Sequence, residues 1–123
     1  MMINVSELTN QSLNWAIAKC EGKDITRSLN KNRQLRLVGN MIYTPSSDWS
    51  QGGPIIERER IGVYLANHST EHCAAWQASI VVSDKALFCK ALYCDGPTPL
   101  IAAMRCFVAS KLGDEIEIPD ILT

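Results

Sequence analysis

GPTPLIAAMRCFVASKLG, residues Gly96 to Gly113, carries a complete set of helix signals. Thr98 is a good N-cap, because its hydroxyl can accept from an otherwise unpaired amide of the first turn, and Pro99 falls at the first helical position, where a missing N–H does no harm. Gly113 supplies the stop. On the helical period Leu100, Ile101, Met104, Phe107, Val108 and Leu112 gather on one broad face, while Ala102, Ala103, Cys106 and Ala109 leave the other side small. A helix of this kind must lie on a core.

The residues before it alternate in the β manner. Ile61, Val63 and Leu65 share one parity, Trp76, Ala78, Ile80 and Val82 share another run, and Leu87 to Cys94 reads as a third strand, so three antiparallel strands are expected. Asn67 to Ala74 reads as a polar, exposed connection and Ser83 to Lys85 as a tight hairpin. After Gly113, residues 114–123 form an acidic tail with Asp114, Glu115, Glu117 and Asp120. Ile116 and Ile118 alternate with the acids, so the tail either adds an edge strand or trails along the surface.

Two more helices are expected upstream. Thr9 announces the first, with Leu8 before it and Leu13 at the fourth helical position in a hydrophobic-staple arrangement, and Gly22 ends it. Its inward stripe is Leu13, Ala16, Ile17 and Cys20; Trp15 points nearly the opposite way and needs a second surface or partial exposure. The next helix is expected from about Asp48 to Arg60, with Ser47 as cap and Asp48 placing negative charge at the positive helix end. Gly52, Gly53 and Pro54 predict an irregular first turn, with the regular part starting at Pro54. Between the two, residues 23–42 read as a long basic loop with one short strand around Leu35 to Val38.

Bulk composition bounds the rest. A chain of 123 residues, 46% hydrophobic and 20% charged, is one domain with one core. Its formal charge of -1 favours neither nucleic acid nor a membrane surface. The apolar runs fall well short of the roughly 20 residues that cross a bilayer. Five cysteines, Cys20, Cys73, Cys89, Cys94 and Cys106, are an odd number without regular spacing or a secretory leader before them, which reads as reduced, cytosolic thiols. The expected fold class is α+β: a single domain, about three antiparallel strands packed with three helices in the order α-α-β-β-β-α.

Four groupings could carry chemistry. Lys23, Arg27, Lys31, Arg33 and Arg36 face a single acid, Asp24, across Lys23 to Asn40. Clustered cations gain affinity for phosphates by releasing counterions, which would give a nucleic-acid arm centred on Lys31, Arg33 and Arg36. No aromatic residue is interleaved to stack on bases, so a solvated loop is the plainer reading. His68, His72 and Cys73, with Cys89 and Cys94 on a neighbouring strand, are enough ligands for zinc. The Cys89 to Cys94 spacing puts those thiols on opposite faces of a regular strand, so no metal site is assigned. The Gly52-Gly53 turn beside Trp49 would let backbone amides approach an anion, as helix N-termini do, although such a glycine pair more often only satisfies a turn. Glu57 to Arg60 alternate in sign, the mark of a solvated helix face. A nucleophile elbow, a phosphate loop, a dinucleotide fingerprint and a Cys-x-x-Cys pair are all missing, and catalysis is the weakest expectation.

Three stretches together, SLNWAIAKCEG (Ser12 to Gly22), YTPSSDWSQGGPIIERERI (Tyr43 to Ile61) and GPTPLIAAMRCFVASKLGDEIEIPDIL (Gly96 to Leu122), resemble the NinX-like family of small proteins encoded by tailed, lambda-like bacteriophages. The resemblance covers a little under half of the chain, with the Ser-Asp-Trp, Gly-Pro-Ile-Ile-Glu and Gly-Pro-Thr-Pro pieces in the family's order. It departs at Lys23 to Asn40 and in the histidine-bearing segment. It implies a phage accessory protein of no established activity, made in the bacterial cytoplasm, with Asp48, Trp49, Gln51, Gly52, Gly53, Pro54, Glu57 and Arg105 as shared positions.

The expected function is a non-catalytic binding protein, without a cofactor, that engages a host protein or sequesters a small anionic ligand. Its site would be Tyr43, Ser47, Asp48, Trp49, Gln51, the Gly52-Gly53 turn and Glu57, with Arg105 as counter-charge. A nucleic-acid accessory protein using the basic arm is the alternative and an enzyme the third. A homo-oligomer is compatible with each.

Overall fold

The computed structural model of the protein describes residues 1–23, 25–26, 36–37, 41–66, 76–83 and 89–119. In chain order these form β1 (Met2–Asn4), a single 3-10 turn (Val5–Glu7), α1 (Asn10–Cys20), β2 (Ile25–Thr26), β3 (Arg36–Leu37), β4 (Met41–Ile42), α2 (Trp49–Glu59), β5 (Gly62–Leu65), β6 (Trp76–Ser83), β7 (Cys89–Gly96), α3 (Pro99–Leu112) and β8 (Glu115–Glu117). The class is α+β, with an antiparallel sheet in the order β5-β6-β7 and three helices. None of the described helices is long and apolar enough to cross a membrane.

α3 begins and ends where its cap residues dictate. Thr98 has extended backbone angles and its hydroxyl accepts from the Ile101 amide at 3.1 Å, Pro99 opens the helix, and Gly113 closes it at φ 90. Its surroundings cover the small side as fully as the broad apolar one. Ala102, Ala103 and Cys106 are as fully buried as Leu100, Met104, Phe107 and Val108. The helix lies between two layers, with β6 and β7 on its small side and α1 and α2 on its large side. On the small side, a Cβ added to Gly96 would sit 2.6 Å from the Ala102 amide nitrogen, and Cys106 Sγ lies 3.4 Å from the Leu92 carbonyl. On the large side, Leu100 abuts Gly52, and the Arg58 guanidinium stands 5.8 Å from the Phe107 ring centroid. Small residues permit the close approach that the sheet requires.

The sheet keeps the expected alternation. Ala78 and Ile80 are buried against α3, while Val81 and Tyr93 point to solvent. Register pairs Ala78 with Cys94 and Ile80 with Leu92 across β6 and β7, and Val63 with Ala78 across β5 and β6. Leu65 departs from the pattern: it shares parity with buried Ile61 yet is 66% exposed. It sits in the last register row, opposite Trp76, at the rim of the covered area. Over its described part the third strand runs from Cys89 to Gly96, two residues past the expected end at Cys94, and Ser83 pairs with Cys89 across the connection expected as a tight hairpin at Ser83 to Lys85. Its residues 84–88 lie outside the described residues, as do 67–75.

Three further segments refine the expectations. In the basic stretch 23–42 the short strand expected around Leu35 to Val38 is β3, and it gains two partners: β2, β3 and β4 pair as a small antiparallel meander, Ile25 with Leu37 and Arg36 with Ile42. Of the two alternatives for the tail, the added strand is the one found over its described part, with β8 antiparallel to β1 and Ile116 and Ile118 buried. The Met1 amino group pairs with Glu117 and donates to the Ile118 carbonyl at 3.1 Å. α2 is continuous from Trp49, not irregular up to Pro54, and its N-cap is Asp48 rather than Ser47. Asp48 is held extended, and its carbonyl accepts from both Gln51 and Gly52, whereas Ser47 is taken up in the preceding turn with its amide on the Thr44 carbonyl at 3.1 Å.

α1 follows expectation more closely. It starts after Thr9, where the Ser12 hydroxyl donates to the Thr9 carbonyl at 2.8 Å, and Leu8 and Leu13 of the staple are both buried. Trp15 is half-buried, with Lys19 Nζ 5.1 Å from its ring centroid, a cation–π contact on the helix surface.

Candidate functional site

A cleft of about 270 Å³ opens where the end of α1 meets α2, lined by Glu21, Lys23, Tyr43, Gln51, Pro54, Ile55 and Arg58. Local chemistry brings these together. Gly22 at φ 66 adopts the left-handed turn that ends α1, and the Lys23 amide reaches back to the Ala18 carbonyl at 2.9 Å, so Lys23 is carried to the helix end. Gln51, Ile55 and Arg58 stand four and three residues apart, the spacing of one helix face. Ile55 is buried and makes part of the floor.

A buried polar contact fixes the position of α2 against α1. Asn14 Oδ1 accepts from the Ser46 amide at 3.0 Å and from its hydroxyl at 2.7 Å, both out of solvent. Gln51 completes the join: its Oε1 accepts from the Thr44 amide at 2.9 Å, and its Nε2 donates to the Ile42 carbonyl at 3.1 Å and to Asp48 Oδ2 at 3.2 Å. The Tyr43 side chain is thereby held in the cleft wall, where burial first and the Glu21 charge second push its hydroxyl up to about 12. It remains a neutral donor. Arg58 donates to Glu21 Oε1 at 2.8 Å, which raises the guanidinium above its ordinary value and ties the two helices across the cleft. Glu59 answers on the far side through Lys111 Nζ at 3.2 Å.

Of the expected site residues, Tyr43 and Gln51 line this cleft, and Trp49 lies two residues from Gln51 with 54% of its surface exposed. Asp48 faces its own helix: its carboxylate accepts from the Ser50 amide at 2.9 Å and hydroxyl at 2.7 Å, and these bonds hold it below the usual carboxylate range. Ser47 and Glu57 are exposed and take no part in the lining. Gly52 is buried under Pro45 and Leu100, so its missing side chain serves packing. Arg105 is not gathered with the others. Its Nε donates to the Leu8 carbonyl at 2.9 Å and its Nη1 to the Asp95 carbonyl at 2.8 Å, which locks the start of α1 to the end of β7. Burial pushes its pKa below the ordinary guanidinium value.

Glu21, Lys23, Ile55 and Arg58 were not legible as lining residues. Arg58 reads as one member of an alternating surface run, and Lys23 as the first of a basic stretch. Asn14 carried a usable signal, a short polar residue between apolar neighbours on a helix otherwise bound for the core. Lys31 and Arg33 lie outside the described residues, as do His68, His72 and Cys73, and Arg36 is described only as backbone in β3. Among the described residues no group of three or more His, Cys, Asp or Glu is placed to hold a metal ion.

Chemically, the cleft offers two cations, one carboxylate, a neutral phenol and an apolar floor. Such a surface can seat a side chain or a small charged group and orient it. A family model described as "Bacteriophage P22, NinX" matches residues 4–111, a span that holds all three helices almost whole together with the cleft. No curated protein matches the chain.

Proposed function

The chain belongs to the bacteriophage P22 NinX family, and we propose that it is a phage accessory protein that works by binding rather than catalysis, engaging a host protein through Trp49 and the adjoining cleft. The exposure of Trp49 carries this reading. It stands at the first position of a helix whose cap is fixed by Asp48 and whose join to the body is fixed by Gln51, so a large side chain is offered to solvent on a rigid mount. Binding energy concentrates on such aromatic anchors, because they bury much area and lose little conformational freedom. Lys23 and Arg58 in the neighbouring cleft suit an acidic side chain of the partner.

A small anion at the start of α2 is the weaker form of the idea. The Asp48 carboxylate already accepts from the Ser50 amide there, and its charge repels a second anion. The test is native mass spectrometry of the wild-type chain and Trp49→Ala, each isolated from phage-infected cells. Wild type is expected to retain a protein partner in fixed ratio, and Trp49→Ala to lose it with a stability change within about 0.5 kcal/mol. Equal retention by both would remove Trp49 from the interface. A small retained mass, released on denaturation and lost in Arg58→Ala, would replace the host protein with an anionic ligand.

A further inference from the structure

The close approach of α3 to β7 sets two cysteines on facing surfaces. Cys94 lies opposite Ala78 on the sheet face that α3 covers, two residues from Gly96, whose backbone meets Ala102; Cys106 is one helical turn beyond Ala102. Cys106 donates its S–H to the Leu92 carbonyl at 3.4 Å, and Leu92 lies two residues from Cys94 on the same face of β7, so the two thiols are neighbours across the helix–sheet seam. Arg105 pins the other flank of Cys94 through its 2.8 Å bond to the Asp95 carbonyl. Cys106 is fully buried, whereas Cys94 keeps part of its surface in solvent.

We propose that Cys94 and Cys106 form an oxidisable dithiol, at which a hydroperoxide converts the two thiols into an intramolecular disulfide joining β7 to α3. Cys94 is the attacking sulfur, because the thiolate is the nucleophile and this one has a guanidinium beside it and partial exposure. The neighbouring Cys106 thiol first and the Arg105 charge second lower its pKa, against the effect of burial. Cys106 is pushed up by the neighbouring Cys94 first and by burial second, and keeps its proton on the Leu92 carbonyl. The Cys94 thiolate attacks one peroxide oxygen, the O–O bond breaks, and the leaving oxygen takes a proton, which leaves a sulfenic acid on Cys94. Cys106 then attacks the Cys94 sulfur; an S–S bond forms, the S–O bond breaks, and hydroxide departs with the Cys106 proton as water. The dithiol loses two electrons and two protons, and hydrogen peroxide becomes two waters.

Cys20 is a built-in control, since burial first and the Glu21 charge second push its thiol up to about 11. The experiment treats the reduced full chain with hydrogen peroxide, alkylates it under denaturing conditions and maps non-reduced peptides by mass. The expected result is loss of two of the five thiols as one Cys94–Cys106 peptide pair, restored by dithiothreitol. Cys106→Ser should stop at a Cys94 sulfenic acid that dimedone captures. Cys94→Ser, at a partly exposed position, should keep Cys106 alkylatable and decides the matter if the buried substitution fails to fold. Peroxide that leaves both thiols alkylatable, or that pairs either with a different cysteine, overturns the proposal.

Discussion

A Cβ on Gly52 would meet the Pro45 carbonyl oxygen at 2.4 Å and Leu100 Cδ1 at 2.6 Å, whereas one on Gly53 would meet nothing within 4 Å. Two adjacent glycines in one helix therefore answer to different physics. Gly52→Ala should destabilise the protein by about 1–3 kcal/mol, since backbone is the obstacle and cannot swing aside. Gly53→Ala should stabilise it by roughly 0.5–1 kcal/mol, because it only removes backbone freedom from the unfolded chain. Urea midpoints at unchanged slope would check both, and two losses of equal size would show that Gly53 is also confined. The pair looked like an anion turn because glycine is permissive, and sequence does not say what the permission is for. Arg105 teaches the same lesson. A guanidinium among apolar helix residues reads as a ligand counter-charge, but here two backbone carbonyls, Leu8 and Asp95, take its donors.

At the scale of elements, the caps of α3 were legible and its burial was not. Thr98, Pro99 and Gly113 act within one turn of themselves, so their reading needs no neighbours. From sequence that face reads only as small, because alanine and cysteine add little to an amphipathic pattern. The structure places that face where β7 comes closest. Ala102→Leu should consequently cost about 1–3 kcal/mol by forcing α3 off the sheet, although leucine is a good helix former. Chemical denaturation gives the number, and a neutral result would mean that the helix–sheet gap is wider than the Gly96 contact implies. In α2 the cap moved by one residue, from Ser47 to Asp48, a choice made by the turn that Asn14 and Gln51 hold in place.

At the scale of the molecule, the two ends of the described chain close on each other. β1 pairs with β8, Val5 donates to the Asp114 carbonyl at 2.8 Å, and Ile118 is fully buried. Ile118→Ala should therefore lower stability by about 2–5 kcal/mol, read as a fall in thermal midpoint; a change below roughly 0.5 kcal/mol would mark the segment as surface trim. The sequence by itself determined the α+β class, the limits of α1 and α3 and the alternation of the strands. Each of these rests on interactions between residues a few positions apart: a hydroxyl and the amide three residues on, or side chains two or four apart on one face. Only the tertiary structure decided the partner of the acidic tail, the double-sided burial of α3, the removal of Arg105 from the expected site and the cleft at Glu21 and Arg58. Those depend on which distant surfaces meet, and burial rewards any apolar match of suitable shape without naming its partner in the local sequence.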